Sequence, residues 1–243
     1  MMENTTSVGK NTYLTTGVRG LDDMMGGGYL ENTITAIIGE SGTGRTTAAL
    51  QFLAEGARNG EDVMYISFSH DIDRIKAKLI TSFPWIESKL DDKFHFLKLD
   101  PKNFDSLSYY LGNGLPELLT SLHISRLAID PMTLYEDSLK FSNGQTPVMS
   151  IYHIYWTLKS VSCTTVVVLA SSISNPLQST NGYSEKFADN VLFLVREFPK
   201  DTLLHAYRKI LLVIKTRYSR HDHYGKAVGF TDEGVMYLDS AKE

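Results

Sequence analysis

The sequence has little of what marks several classes of protein. Cys163 is the single cysteine among 243 residues, so no disulfide can form within the chain, which agrees with a reducing, cytoplasmic location. No apolar run approaches the length of a membrane helix, and residues 1–14 (MMENTTSVGKNTYL) lack an apolar signal segment, so we expect no membrane insertion. The formal net charge of −4 provides no basic excess, which argues against a dedicated nucleic-acid binder.

What is present predicts one α/β domain. Strand-like apolar runs alternate with helical patterns through the first two thirds of the chain, which predicts a mostly parallel central sheet flanked by helices. The chain then closes with strand, turn and strand, which predicts an antiparallel C-terminal edge. We predict strands at 33–38, 62–68, 94–99, 126–130, 164–171, 189–196, 208–215, 226–231 and 234–238, and helices at 46–58, 71–83, 104–123 (with a break at Gly112, Gly114 and Pro116) and 148–160. Without a repeat or a linker, the expected organisation is a flexible lead-in at 1–14 and a single domain at 15–243.

A glycine-rich segment, GESGTGRTT at residues 39–47, lies between a predicted strand and a predicted helix. It meets the phosphate-loop pattern G-x-x-x-x-G-K-[ST] at every fixed position except that of the lysine, where this chain has Arg45. In such a loop, backbone N–H groups and the start of the helix face an anion. The candidate phosphate-binding residues are Gly39, Glu40, Ser41, Gly42, Thr43, Gly44, Arg45, Thr46 and Thr47. The alternative is a strand-to-helix turn that binds nothing.

Two residues have the chemistry and placement to hold Mg²⁺ beside such a loop. Thr46 follows Arg45 at the position of the hydroxyl that coordinates the ion, and Asp130 ends the apolar strand RLAID. Asp130 is expected to hold water bound to the ion, and we include it among the nucleotide-site residues. An acid at the end of a strand can also serve only to form a turn.

Several motifs together resemble one family, the KaiC-like branch of the RecA-type ATPases. They are TGVRGLD at 16–22, GGG at 26–28, GESGTGRTTAALQFLAEGA at 39–57, YISF at 65–68, RLAID at 126–130, GYSEKFADNVLFL at 182–194 and KTR at 215–217. The resemblance covers nearly the whole chain. It implies a RecA-like P-loop NTPase core that binds ATP and Mg²⁺ at a subunit interface, in a homo-oligomer that is often a six-membered ring. We therefore expect a single core, without the N-terminal DNA-binding lobe of recombinases.

The resemblance also assigns a role to two basic residues near the C-terminus. In the family, the lysine and arginine of a K-x-R strand reach the nucleotide held by the neighbouring subunit, and Lys215 and Arg217 occupy that motif here. An arginine supplied across an interface stabilises charge on a transferring phosphate. The alternative is a solvated edge strand with alternating charge.

Two departures from the family pattern bear on hydrolysis. Hydrolytic members usually carry a pair of glutamates directly after the YxSF strand, whereas this chain has Ser69 and His70, followed by Asp71. Asp71 could replace the missing carboxylate or could cap the next helix, and we favour the cap. Arg45 keeps the positive charge of lysine in a longer, planar group. Together these departures predict retained ATP binding with weak or absent hydrolysis.

The expected function is therefore that of a nucleotide-dependent regulatory or assembly protein. An assembly subunit with a protein partner, comparable to the ATP-binding regulatory component of the archaeal motility motor, fits the same residues. The alternatives are a competent but slow ATPase and, less favoured, a DNA recombinase paralogue.

Overall fold

The computed structural model describes residues 12–102, 104–141, 146–198 and 207–239, and for 104–106 the backbone alone. The predicted lead-in at 1–14 therefore lies largely outside the described residues. Its last two residues do not belong to a lead-in, because strand β1 (Tyr13–Leu14) pairs antiparallel with β2 (Tyr29–Leu30). These backbone hydrogen bonds make Tyr13 and Leu14 part of the folded domain.

A sheet of nine strands forms the centre of the domain. In chain order the strands are β3 (Ile34–Gly39), β4 (Asp62–Ser67), β5 (Phe94–Lys98), β6 (Ile124–Asp130), β7 (Thr164–Ala170), β8 (Asn190–Glu197), β9 (Arg208–Thr216), β10 (Lys226–Phe230) and β11 (Met236–Leu238). They lie side by side in the order β11-β10-β9-β8-β3-β7-β6-β4-β5. From β8 to β5 all neighbours are parallel, whereas β9, β10 and β11 are antiparallel. Both the parallel core and the antiparallel edge are confirmed.

The sequence pattern explains which strands are central. Every residue of β3 is buried, as are all but the last of β7, because helices cover both faces of a parallel sheet and leave no position for an outward polar residue. In β5, by contrast, most residues are only partly buried, and this strand forms the edge of the sheet, as its alternating pattern predicts.

Eight α-helices are described, several of them short. They are α1 (Leu21–Met24), α2 (Arg45–Arg58), α3 (Ile72–Ser82), α4 (Phe104–Tyr109), α5 (Leu115–Ser121), α6 (Met132–Ser138), α7 (Pro147–Ser160) and α8 (Ser184–Phe187). The break predicted within 104–123 is a π-helical turn, Tyr110–Gly114, between α4 and α5. Sequence analysis did not predict α6. Within the described ranges, no helix combines the length and the apolar character needed to cross a membrane.

Two apolar layers enclose the sheet. Residues of α1, α2 and α3 pack on one face, and residues of α5, α6 and α7 pack on the other. The segment before β3 belongs to the first layer, since Val18, Leu21, Met24 and Met25 are all buried in it. The helix that follows the glycine-rich loop is thus held rigidly against the sheet.

A buried arginine, Arg126, connects the layer of α1, α2 and α3 to the first described residues of the domain by hydrogen bonds. The Arg126 side chain, 1% exposed, forms two hydrogen bonds with the Glu61 carboxylate, at 2.6 and 2.8 Å. It also donates to the carbonyl oxygens of Thr15 and Phe52, at 2.7 and 3.1 Å. Its aliphatic part passes over Gly56 of α2, where an ideal Cβ would lie 2.6 Å from the arginine Cδ. Arg126 therefore joins three segments that are distant in the sequence.

Candidate functional site

The glycine-rich loop has the strand–turn–helix setting that the sequence predicts. It leaves the end of β3 at Gly39 and enters α2 at Arg45. Gly44 has a φ of +111°, and a Cβ there would lie 2.7 Å from the ring of Phe230, so a side chain is excluded on both grounds. The buried Thr43 hydroxyl donates to the Glu40 carbonyl oxygen at 2.8 Å and closes the turn.

A cleft of about 750 Å³ opens above this loop, within the range of ~300–1,000 Å³ that small-molecule sites occupy. It lies at the carboxyl ends of the parallel strands, where α/β proteins bind ligands. The lining residues are Ser41, Gly42, Gly44, Arg45, Thr46, Thr47, Ser69, His70, Asp71, Arg74, Ile75, Lys78, Lys209 and Phe230. Its ionisable groups are mostly basic, which suits an anionic ligand.

Asp130 lies beneath the cleft at the end of β6, and its side chain is almost fully buried. The Tyr65 hydroxyl donates to its carboxylate at 3.0 Å, and Nδ1 of His70 lies 3.4 Å from the same hydroxyl. Burial raises the pKa of Tyr65 well above its usual range, and the negative charge of Asp130 adds to the effect. Tyr65 therefore stays protonated and holds the carboxylate in place.

Arg45 turns towards the sheet. Its guanidinium donates to the carbonyl oxygen of Leu169, near the end of the adjacent strand β7. Burial lowers the pKa of Arg45 from its usual value, and the negative charge of Asp130 partly offsets this effect. Arg45, which replaces the motif lysine, thus has a hydrogen-bond partner within the protein.

Three further cations line the cleft that were not among the residues predicted from the sequence. Arg74 and Lys78 come from α3, and the Lys209 ammonium from β9 lies 4.4 Å from the centre of the Phe230 ring. Arg74 and Lys78 are four residues apart on a helix and so share one face, which is the only sign of them in the sequence. Nothing in the sequence near Lys209 indicates its position.

A further arginine supports the loop from outside. Arg196, in β8, donates to the Glu40 carboxylate at 2.7 Å and to the carbonyl oxygen of Ser41. The predicted loop residues Glu40 and Ser41 therefore have a protein partner in this structure. Their contact with Arg196 helps to set the position of the loop tip.

In the segment after β4, the carboxylate that lines the cleft is that of Asp71, and its Oδ1 is engaged by the helix that follows. Ser69 and His70 line the cleft, and the Ser67 hydroxyl accepts the His70 backbone N–H at 2.8 Å. The Asp71 carboxylate accepts the backbone N–H groups of Asp73 and Arg74, at 3.0 and 3.3 Å. Asp71 is thus the N-cap of α3, the interpretation that sequence analysis favoured, although it also lines the cleft.

Lys215 and Arg217 lie near the opposite ends of the parallel strands. The Arg217 backbone N–H donates to the backbone carbonyl oxygen of Asp189, and the Asp189 N–H donates to that of Ile34. Ile34 is the first residue of β3, five residues before Gly39. At about 3.3 Å per residue, this places Arg217 roughly 15 Å from the loop along the strands. The Lys215 ammonium donates to the carbonyl oxygens of Glu185 and Ala188, at 2.9 and 2.7 Å. Burial and then the charge of Arg217 lower its pKa.

The sheet order, the flanking helices and the loop at the end of β3 define a RecA-like P-loop NTPase domain. The chain belongs to the KaiC family of ATPases, because the family model "ATPase: KaiC" matches residues 14–242. The chain is 21% identical over 235 residues to the UPF0273 protein PH0284 of Pyrococcus horikoshii, covering 91% of this chain and 92% of that protein. It is 28% identical over 233 residues to the circadian clock oscillator protein KaiC of Prochlorococcus marinus, covering 91% of this chain and 44% of that protein.

A solved structure supports the same fold. The KaiC-like protein PH0186 of Pyrococcus horikoshii superposes with a TM-score of 0.78 at 20% identity, covering 95% of this chain and all of that one (100%). At this identity the likeness concerns the fold alone. The resemblance inferred from the motifs and the predicted fold class are both confirmed.

Proposed function

We propose that this chain binds ATP with Mg²⁺ in the cleft above residues 39–47 and hydrolyses it slowly, so that the nucleotide acts mainly as a regulatory or assembly ligand. The observation that carries the proposal is the convergence of Arg45, Arg74, Lys78 and Lys209 on the glycine-rich loop. A ligand that bears several negative charges matches these cations and the N-terminus of α2.

The residues present also fit Mg²⁺. The Thr46 hydroxyl lines the cleft, and the buried Asp130 carboxylate is held by Tyr65 near two cations, Arg45 and Lys78. Thr46 would coordinate the ion and Asp130 would hold its water. When bound, Mg²⁺ neutralises charge between the terminal phosphates. The chain itself would position the phosphates and exclude bulk water from the side of the phosphates that faces the loop.

Slow hydrolysis follows from the groups that face the cleft. Ser69 cannot accept a proton as a carboxylate does, and Asp71 is held as the N-cap of α3 by two backbone N–H groups that both donate to its Oδ1. Positioned proton acceptors contribute about 10²–10⁴-fold to a rate. The chain therefore retains the groups that bind phosphate and lacks the one that activates water.

The first test is a calorimetric titration with ATP and Mg²⁺. We expect binding with a Kd below the millimolar range, and we expect Gly44→Ala to weaken it at least about tenfold, since a Cβ there meets Phe230 in a left-handed backbone region. Gly60→Ala is the matched control, because Gly60 has a φ of +82° but no heavy atom within 4 Å of the added Cβ. Absence of binding by the wild-type protein at millimolar ATP would refute the proposal.

Assembly is the second part of the proposal. The cleft lies at the carboxyl ends of the parallel strands and Lys215 and Arg217 lie near the amino ends, so any nucleotide that these two residues contact belongs to another copy. Such a head-to-tail contact uses two different surfaces and forms a ring where the rotation closes. This arrangement is compatible with the six-membered ring that the family resemblance implies.

Light scattering tests this assembly. Because a ligand stabilises the state that binds it better, ATP should shift the wild-type protein to a larger species. In the double variant Lys215→Ala/Arg217→Ala the same shift should need at least about tenfold more protein. Lys186→Ala, an exposed lysine on the adjacent helix α8, should behave as wild type. A wild-type monomer with and without ATP would contradict the interface role.

A further inference from the structure

Lys78 is one of the cations that line the cleft. Its Nζ donates to the Thr47 hydroxyl at 2.8 Å, which brings an ammonium from α3 to the first turn of α2. Burial lowers the pKa of Lys78, and the negative charge of Asp130 partly offsets this effect. Within the part of the chain that the structure describes, no carboxylate forms an ion pair with it.

The position of Arg45 makes this ammonium significant. Arg45 donates to the Leu169 carbonyl oxygen and is therefore held towards β7. A guanidinium is planar and presents its donors in a fixed fork, whereas an ammonium is compact and directs its three donors freely. One donor of Lys78 is used by Thr47, so two are available for an anion.

We propose that Lys78 takes over, from another helix, the phosphate contact that the lysine of a P-loop normally makes. The inference rests on the proposed ATP site and deepens it. Arg45 and Lys78 both lie close enough to Asp130 to interact with its negative charge. The partly desolvated ammonium attracts an anion more strongly than a fully hydrated one would. In this arrangement Arg45 supports the loop from the sheet side and Lys78 contacts the terminal phosphates.

The arrangement also explains why the lysine can be absent from the motif. β3 and β4 belong to the same parallel sheet, with β7 and β6 between them. Because α3 follows β4, it can contribute a cation to the cleft above the loop that follows β3. The phosphate contact thus depends on the packing of α3 against α2. Loss of Lys78 should therefore affect phosphate binding more than stability.

The experiment compares ATP affinities, measured by calorimetry with Mg²⁺ present, in four variants and the wild-type protein. Lys78→Gln keeps a donor for the Thr47 hydroxyl and removes the charge, and we expect it to weaken binding about 10- to 100-fold. Lys76→Gln is the matched control on the same helix, because that ammonium lies over the Phe96 ring and does not line the cleft. We expect its affinity to stay within about twofold of wild type.

A restored motif lysine provides the decisive comparison. In the Lys78→Gln background, Arg45→Lys should recover most of the lost affinity, because an ammonium at position 45 can then make the phosphate contact that position 78 has lost. Thermal unfolding of each variant identifies any loss of ATP affinity that arises from misfolding. If Lys78→Gln is unfolded, Lys78→Arg replaces it. Because Lys78→Arg keeps the charge, we expect it to lose less affinity.

The outcomes separate the two proposals. If wild-type protein binds ATP and Lys78→Gln binds it equally well, the role of Lys78 is refuted while the ATP site stands. Equal losses in Lys78→Gln and Lys76→Gln, or no recovery with Arg45→Lys, also refute it. If wild-type protein does not bind ATP, both proposals fall.

Discussion

Replacing Ser69 and His70 together by glutamate is expected to raise the single-turnover rate of ATP hydrolysis by about 10²–10⁴-fold, the usual contribution of a positioned proton acceptor. Both residues line the cleft directly after β4, so a carboxylate at either can face the bound nucleotide. Position 69 is the better placed of the two. The His70 ring lies beside the Tyr65 hydroxyl that holds Asp130, where a second carboxylate would be repelled.

The measurement uses saturating ATP, so that changes in affinity do not affect the rate. The matched control is Ser69→Gln/His70→Gln, which has the same size without the negative charge and should leave the rate nearly unchanged. Arg45→Lys alone should change the rate modestly, because Arg45 already supplies positive charge near the phosphates. A large gain from Arg45→Lys, with none from the two glutamates, would place the defect in the loop.

Arg126→Met is expected to lower the free energy of unfolding by about 3 kcal/mol, the lower end of what removal of one partner from a buried ion pair costs, because the Glu61 carboxylate left behind is 22% exposed. The substitution leaves the Glu61 carboxylate without its two hydrogen bonds and removes the side-chain donor to the carbonyl oxygens of Thr15 and Phe52. Urea denaturation measures the effect, with the midpoint and the slope fitted separately.

Arg58→Met is the matched control for this prediction. Like Arg126, whose guanidinium lies 4.9 Å from the centre of the Phe52 ring, Arg58 pairs with a glutamate (Glu55, at 3.8 Å) and lies over an aromatic ring (Trp85, at 4.8 Å). The Arg58 side chain, however, is 56% exposed. Its loss should cost at most about 1 kcal/mol. If the two variants were equally destabilised, burial would not be what makes the Arg126 contacts important.

The amino-acid pattern predicts much of this molecule because much of it is locally encoded. An unbroken apolar run marks β3 and β7 wherever they lie in the sheet, and the glycines of residues 39–47 specify a turn between strand and helix. Asp130 was placed at the site for the same reason, since the carboxyl ends of parallel strands meet at one edge. Even the N-cap role of Asp71 follows from its position before an amphipathic helix.

What the pattern could not predict depends on the order of the strands. Arg45 meets Leu169 because β3 pairs with β7, and Arg196 reaches Glu40 because β8 is the other neighbour of β3. Lys78 meets Thr47 because α3 packs beside α2. These partners are from 31 to 156 residues apart in the chain, and strand order is set by the packing of the whole sheet. The chemical class of the site was therefore readable from local residues, whereas the identity of its cations required side chains that only long-range packing brings together.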